Sequence, residues 1–187
     1  MSDQAFLDRL GRRVTLHEVD DGNWRAVADV APLDEQRAYV AALAARYLLL
    51  SIHEEPWRSL AVCADGAVVG HVMWGRDEEG AHWIGGLMVD RAEQGRGVGR
   101  ALLRALLARL AAQPDCRVIR LSYQLDNVAA RELYESTGFV RTRSVEDAEE
   151  LGEEEIVAEL TAEAARRAAA AERPGTDAAG PGAGRQP

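Results

Sequence analysis

The stretch E93-Q-G-R-G-V-G-R100 carries the strongest structural signal in this chain, with three glycines at alternate positions. The segment Gly97–Leu110 behind it has the apolar spacing of an amphipathic helix, and the run His82–Asp90 before it has the composition of a strand. A strand, a glycine loop and a helix in this order direct free backbone N–H groups and the positive end of the helix dipole at an anion. The sequence therefore predicts a phosphate-binding loop.

Spacing excludes the two common nucleotide loops. A dinucleotide-binding G-x-G-x-x-G that begins at Gly95 requires a glycine at position 100, where Arg100 stands. A mononucleotide P-loop requires G-K-[ST], and the chain contains no lysine. A glycine turn that serves packing alone stays an alternative to a phosphate loop.

Elsewhere the hydrophobic pattern predicts short strands and helices in a single α/β domain with a mixed sheet. The dipeptide Asp65-Gly66 is typical of a hairpin turn between two strands. The predicted strands are Val14–Val19, Ser59–Ala64, Val68–Trp74, His82–Asp90, Arg117–Tyr123, Phe139–Thr142 and Ile156–Leu160. The predicted helices are Asn23–Val30, Leu33–Leu50, Gly97–Leu110 and Asn127–Ser136.

The two ends of the chain differ in composition from its middle. We expect residues 1–12 to be an N-terminal extension, residues 13–160 to form the domain, and residues 161–187 to be an Ala/Gly/Pro-rich disordered tail. No apolar run approaches the roughly 18 residues of a membrane span, and the N-terminus lacks the apolar core of a signal peptide. We therefore expect a cytoplasmic protein that does not contact membranes.

Charge and residue spacing exclude several further classes. Acidic residues number 31 and basic residues 22, and this net charge of −9 argues against nucleic acid as a partner. Neither Cys63 and Cys116 nor the four scattered histidines have the spacing of metal ligands. We predict no metal, and the absence of lysine removes that residue type as a catalytic candidate.

The hexapeptide Q94-G-R-G-V-G99 resembles the Q/R-x-x-G-x-G/A signature of the GNAT N-acetyltransferase superfamily, whose loop binds the pyrophosphate of coenzyme A. The strand L87-M-V-D90 and the following helix complete the likeness. The resemblance implies that residues 13–160 form a largely antiparallel mixed sheet flanked by helices, with acetyl-CoA at a splay between central strands. It implies cofactor contacts from Leu87, Met88, Val89, Gln94, Gly95, Arg96, Gly97, Val98, Gly99, Arg100 and Asn127.

A second signal lies downstream, where Asn127 and Tyr134 are seven residues apart and share one helix face. A phenol with a pKa of about 10 can donate a proton to a leaving thiolate. The context N-x-x-A-x-x-x-Y-E-x-x-G-F resembles the second half of the superfamily motif, where this tyrosine is the usual general acid. We therefore predict Tyr134 as the catalytic residue, with an amphipathic core tyrosine as the alternative.

The run from Val14 to Glu159 resembles bacterial diamine N-acetyltransferases that use spermidine and spermine. Matching pieces include D21-G-N-W-R25, V69-G-H-V-M-W-G75 and L133-Y-E-S-T-G-F139. The resemblance implies direct acetyl transfer from acetyl-CoA to a primary amine of a polyamine, and a homodimer. The alternatives are another acceptor, such as an aminoglycoside-like, amino-acid or protein amine, and a non-catalytic acyl-CoA-binding module.

One departure from the superfamily concerns the general base. Many members carry a carboxylate on the strand where this chain has Gly85-Gly86, so the base is unassigned, with Glu35, Glu55 or an ordered water chain as candidates. A polyamine pocket requires carboxylates for the ammonium groups and aromatic walls for the methylene stems. The predicted acceptor-side residues are Glu35, Glu55, Trp83 and Gly85.

Overall fold

Eight strands form one mixed sheet in the computed structural model, which describes residues 6–144, 148–149, 152 and 154–170. Their order is β1-β2-β3-β4-β5-β6-β8-β7, and every neighbouring pair is antiparallel except β5 and β6. The strands are β1 (Phe6–Leu7), β2 (Arg13–Glu18), β3 (Arg58–Ala64), β4 (Ala67–Arg76), β5 (His82–Val89), β6 (Val118–Gln124), β7 (Val140–Arg141) and β8 (Glu155–Thr161).

Helices cover both faces of this sheet. They are α1 (Trp24–Ala28), α2 (Ala45–His53), α3 (Val98–Ala111), α4 (Val128–Thr137) and α5 (Ala162–Ala170), with a 3-10 segment at Asp34–Ala38. No helix in the described part of the chain is long and apolar enough to cross a membrane. The predicted class, a largely antiparallel mixed sheet flanked by helices, is confirmed.

The main core lies between the sheet and α3. Alternation along β3 separates the two faces, because Leu60 and Val62 pack toward α3 whereas Ala61 and Cys63 pack with Val27 of α1. The helix contributes five fully buried leucines: Leu102, Leu103, Leu106, Leu107 and Leu110. Burying each leucine contributes about 1.5–3 kcal/mol, so α3 anchors the glycine loop that precedes it.

The predicted helix Leu33–Leu50 is wrong as a continuous element. It is divided into the 3-10 segment and α2, which begins only at Ala45. Between them the N–H of Ala41 donates to the Tyr47 hydroxyl at 3.0 Å, and the N–H of Ala44 donates to the Val30 carbonyl at 2.9 Å. These tertiary hydrogen bonds use donors that a continuous helix would need for its own ladder.

The folded domain extends beyond both of its predicted bounds, residues 13 and 160. Phe6 of β1 is buried and pairs with Val14, so part of the expected N-terminal extension belongs to the sheet. Residues 162–170, expected in a disordered tail, form α5 and pack on α3 through buried alanines such as Ala165. Small side chains allow this close approach without large apolar residues. The predicted disorder of residues 171–187 lies outside the described residues.

Candidate active site

The sheet splays apart between β5 and β6. The two strands pair in parallel only from His82–Ile84 with Ile119–Leu121, while β6 stays paired with β8 over its whole length. Residues 85–89 of β5 therefore pair with β4 on one side and leave their other backbone edge open. An open edge of this kind can accept an extended chain as an added strand.

A bulge in β5 marks the point where the splay begins. Met73 of β4 pairs with Gly85 and His71 with Met88, so β5 carries one residue more than β4 over this interval. Gly86 within the bulge has a φ of 54°, and a Cβ there would lie 3.0 Å from the Tyr47 ring. Glycine is required at position 86 for both reasons, which explains the unusual glycine pair in this strand.

The glycine loop leads directly into α3. Gly95 and Gly97 have φ values of 75° and 85°, and Gly97 is the N-terminal cap residue of α3 without a side-chain cap. The first-turn N–H groups of α3 thus have no side-chain cap, which is the arrangement that a phosphate loop requires. A Cβ at Gly97 would lie 2.8 Å from Cγ of Arg9, so the N-terminal segment packs closely against the loop.

A cavity of about 590 Å³ occupies the splay. Its walls come from the 3-10 segment, the open part of β5, the glycine loop and the start of α4. Most of the predicted cofactor residues line it: Leu87, Met88, Val89, Gln94, Gly95, Gly97, Val98, Gly99 and Asn127. Arg96 lies outside this wall and pairs with Glu93 at 3.0 Å.

Tyr134 lies in the same cavity wall on α4, where only 8% of its surface is exposed. Its ring centroid lies 5.6 Å from that of Tyr123 and 6.0 Å from that of Phe139. Burial raises the pKa of Tyr134 to about 12, so the phenol is protonated at neutral pH. The residue is a packed core tyrosine whose protonated phenol lies in the cavity wall.

Two predicted cofactor residues have side chains engaged with the protein. The side-chain oxygen of Asn127 caps α4 by accepting from the N–H of Ala130 at 3.1 Å. The Gln94 amide exchanges hydrogen bonds with the Gln36 amide at 2.6 and 2.9 Å and donates to the Val89 carbonyl at 3.1 Å. Gln94 thus joins the glycine loop to the 3-10 segment above it.

A second cavity, of about 730 Å³, lies on the other side of the glycine loop. Arg9, Arg100 and Arg104 line it. The sequence analysis missed Arg9, whose N–H donates to the Arg96 carbonyl at 2.8 Å and whose guanidinium donates to the Gly95 carbonyl at 3.3 Å. Only the folded contact of the N-terminal segment reveals this residue, because no sequence motif surrounds it.

The predicted acceptor-side residues are not brought together. Glu35 lines the first cavity, whereas Glu55 is exposed and lies outside its wall. Trp83 also lies outside that wall, and its Nε1 donates to Asp77 at 2.7 Å. Gly85 faces Trp57, whose ring atoms would lie 3.1 Å from a Cβ at that position.

Charge differs sharply between the two cavities. The first is lined by Glu35, Glu93 and Asp126, and none of its described lining residues is basic. Glu93 pairs with Arg12 at 2.7 Å, while neither Glu35 nor Asp126 forms an ion pair within the described part of the chain. Asp126, which the sequence analysis missed, accepts a hydrogen bond from Tyr39, and burial together with this carboxylate raises the pKa of that tyrosine.

Metal ligation has no geometric support within the described residues. They contain no cluster of three or more His, Cys, Asp or Glu side chains placed to hold an ion. Both cysteines are buried, and burial raises the pKa of each thiol.

The glycine loop, the splayed sheet and the open edge of β5 together define the fold of an acyl-CoA-dependent transferase. The sequence model of the acetyltransferase (GNAT) family matches residues 13–139. The chain belongs to this family, as the sequence resemblance indicated. It is an acetyltransferase, and acetyl-CoA is its cosubstrate.

Individual relatives agree with this assignment. The spermine/spermidine N(1)-acetyltransferase of Bacillus subtilis (strain 168) is 28% identical over 134 residues, which cover 67% of this chain and 87% of that protein. The crystal structure of spermidine N-acetyltransferase from Vibrio cholerae, in complex with CoA and spermine, has a TM-score of 0.62 at 17% identity and covers 82% of this chain and 98% of that one. An aminoglycoside acetyltransferase in complex with coenzyme A has a TM-score of 0.64 at 19% identity, covering 82% of this chain and 98% of that one.

Proposed function

We propose that this acetyltransferase transfers the acetyl group of acetyl-CoA directly to a primary amine of a polycationic small molecule of the spermidine and spermine type. The observation that carries the proposal is the charge of the first cavity, which has carboxylates and no basic side chain among its described lining residues. A polyamine is attracted by such a cavity, whereas an anionic amine is repelled. The likeness to the Bacillus and Vibrio polyamine acetyltransferases supports the same acceptor class.

The residues present fit coenzyme A at two levels. The first-turn N–H groups of α3 have no side-chain cap, and the backbone edge of β5 beyond Ile84 is not paired with β6. Backbone groups of Leu87–Val89 would hold the extended arm, and the N–H groups of the loop and α3 would hold the pyrophosphate. Arg9 and Arg100 would contact the remaining phosphate from the second cavity.

Tyr134 would serve as the proton donor. Bound acetyl-CoA would supply an activated thioester. The acceptor ammonium would lose one proton to solvent before attack, and the C–S bond would break after the C–N bond has formed. The nitrogen would release its second proton as the amide forms, which balances the proton given to sulfur. The Tyr134 hydroxyl would donate its proton to the departing sulfur, and the raised pKa of about 12 keeps that proton in place beforehand. An N–H of the bulged segment after Gly86 would stabilise the negative charge that develops on the carbonyl oxygen.

Glu35 and Asp126 would bind the acceptor. Both carboxylates line the cavity, and neither forms an ion pair with a described residue. Carboxylates stabilise nearby ammonium groups, so these residues would select and orient the polycation through the amines that do not react, while the reacting amine is neutral. Tyr39 and Val40, on the same wall, offer apolar surface to the methylene stems.

An amine panel tests the proposal. Thiol release from acetyl-CoA is measured with spermine, spermidine, putrescine, an aminoglycoside and a neutral primary amine. We expect kcat/KM to be highest for spermine and spermidine. A maximum with the neutral amine would contradict the assigned acceptor class but not the acetyltransferase activity.

Calorimetry combined with the amine panel distinguishes an acetyltransferase from a module that only binds acyl-CoA. Binding of acetyl-CoA without acetylation of any amine in the panel would identify a non-catalytic acyl-CoA-binding module. Binding with turnover of an amino-acid or protein amine alone would keep the enzyme and replace the acceptor.

A further inference from the structure

His71 of β4 contacts the bulge of β5 from below. The side chain is completely buried, and its Nδ1 lies 3.0 Å from the carbonyl oxygen of Gly86. A carbonyl oxygen only accepts hydrogen bonds, so Nδ1 must carry the proton. The sequence analysis did not single out His71, because no pattern indicates that its ring meets a carbonyl 15 residues away.

The partner of the other ring nitrogen is compatible with the same tautomer. Nε2 lies 2.9 Å from the Ser59 hydroxyl, and the Ser51 hydroxyl lies 2.9 Å from both the Ser59 oxygen and the Leu48 carbonyl oxygen. Burial lowers the pKa of His71 to about 4, so the ring is neutral and Nε2 is an acceptor. The Ser59 hydroxyl therefore donates to Nε2, and Nδ1–H donates to the Gly86 carbonyl.

Packing also holds the ring in one orientation. The Tyr47 ring stacks on the imidazole with a centroid distance of 5.6 Å and an angle of 2° between the planes. The same Tyr47 ring bounds the space beside Gly86, where a Cβ would approach it to 3.0 Å. The Tyr47 ring therefore packs against the bulge, and the His71 imidazole donates a hydrogen bond to it.

We propose that His71 is a positioning residue, whose Nδ1–H bond to the Gly86 carbonyl sets the orientation of the peptide groups that follow in Leu87–Val89. This inference rests on the proposed function, in which those groups hold the acyl arm and the developing oxyanion. When a glycine carbonyl points away from the β-sheet hydrogen bonds, little in the backbone itself fixes its direction, since glycine adopts many conformations. The imidazole supplies the missing restraint.

Two amide substitutions test which nitrogen matters. The side-chain nitrogen of Asn can replace Nδ1 of histidine, whereas that of Gln can replace Nε2. His71→Asn therefore keeps the bond to Gly86 and loses the bond to Ser59, while His71→Gln does the reverse. We expect His71→Gln to lower kcat by about 10- to 100-fold, the effect of a displaced reacting geometry, and His71→Asn to retain most of it.

Unfolding free energies of the two variants serve as the control for a merely structural role. Equal loss of kcat in both variants, or wild-type kcat in His71→Gln, would overturn the proposal. Two-bond ¹H–¹⁵N spectra of the wild-type imidazole give a test that needs no variant: we expect the Nδ1–H tautomer, and the Nε2–H tautomer would overturn the assignment.

Acetyl-CoA binding keeps this test separate from the acceptor question. If no amine in the panel is acetylated, the proposed function fails, yet calorimetry still compares the two variants. Weaker acetyl-CoA binding in His71→Gln than in His71→Asn supports the positioning role, and equal binding contradicts it.

Discussion

The two cavities beside the glycine loop share backbone but differ in charge. Gly95, Gly97 and Gly99 line both. The first cavity has carboxylates and no basic residue among its described lining, whereas the second has three arginines beside Asp8 and Glu132. The backbone N–H groups of the loop attract any anion, so they cannot decide which way a long molecule lies. The side chains on either side supply that direction: the phosphate-rich end is favoured beside Arg9 and Arg100, and a cationic acceptor beside Glu35 and Asp126.

The largest expected effect concerns the proton donor of the first cavity. Tyr134→Phe should lower kcat about 100-fold and leave acetyl-CoA binding nearly unchanged, because it removes a proton donor without changing the wall. Steady-state thiol release and calorimetry measure the two quantities. Tyr123→Phe is the matched control, since that buried tyrosine lies 5.6 Å away but outside the cavity wall. Equal kcat in the two variants would remove Tyr134 from its assigned role.

The wall between the cavities is the next target. Gly97→Ala should weaken acetyl-CoA binding about tenfold or more, because a φ of 85° disfavours alanine and its Cβ would overlap Arg9. Gly95→Ala has a similar φ of 75° but open space around the Cβ, so it isolates the conformational part. If the two variants bind acetyl-CoA equally, the contact with the N-terminal segment has no role in cofactor binding.

Removing a charge from the second cavity should have a smaller effect. Arg9→Ala is expected to weaken acetyl-CoA binding about fivefold, since an exposed cation interacts with a phosphate only weakly. The same substitution should not change the affinity for acetyl-dephospho-CoA. Arg13→Ala, an exposed arginine outside that cavity, controls for net charge. Equal loss in both variants would point to long-range attraction in place of a contact.

The corresponding change in the first cavity acts on the acceptor. Glu35→Gln should raise KM for spermine about threefold and leave KM for acetyl-CoA unchanged, because the carboxylate is solvent-exposed. Glu55→Gln removes the same charge outside the cavity wall and should change neither constant. A larger rise in KM for spermine with Glu55→Gln would indicate that the acceptor binds near the segment before β3.

The smallest expected effect concerns the pH profile, in which kcat should not fall at alkaline pH. An ordinary tyrosine ionises near pH 10 and loses its acid function there. Because burial raises the pKa of Tyr134 to about 12, its phenol stays protonated through that range. We expect kcat to rise as the acceptor amine deprotonates and to show no fall at pH 10. A descending limb at or below pH 10 in wild type would contradict the buried environment.

Sequence reasoning predicted the glycine loop from spacing, and the resemblance of Q94-G-R-G-V-G99 and its flanks indicated the family. The alternate glycines excluded the nucleotide loops, and the flanking strand and helix were found at nearly the predicted bounds. Sequence reasoning was wrong where long-range contacts determine the local structure. Hydrogen bonds to Tyr47 and Val30 interrupt the predicted helix Leu33–Leu50, and these partners are not visible in local periodicity.

The candidate site was predicted in the same uneven way. Tyr134 and the loop residues were predicted from motif context. Arg9 has no motif around it, and the quoted stretches that contain His71 or adjoin Asp126 did not indicate the contacts of these two residues. Each of these three meets the site only after the chain folds, as in the contact between Arg9 and a carbonyl 86 residues away. The short acceptor-side motifs did not indicate which side chains would line the cavity. Trp83, predicted on the acceptor side, donates its indole N–H to Asp77 outside the cavity wall.

The reciprocal amide pair between Gln36 and Gln94 has a consequence for how the two substrates communicate. It joins the segment that carries Glu35 to the loop proposed to hold phosphate, so a shift of one would be transmitted to the other. Neither amide is charged, and dissolved salt therefore screens this link far less than the ion pair between Arg12 and Glu93. Cooperativity between acetyl-CoA and the amine should accordingly persist at ionic strengths that already weaken the attraction of the polycation itself.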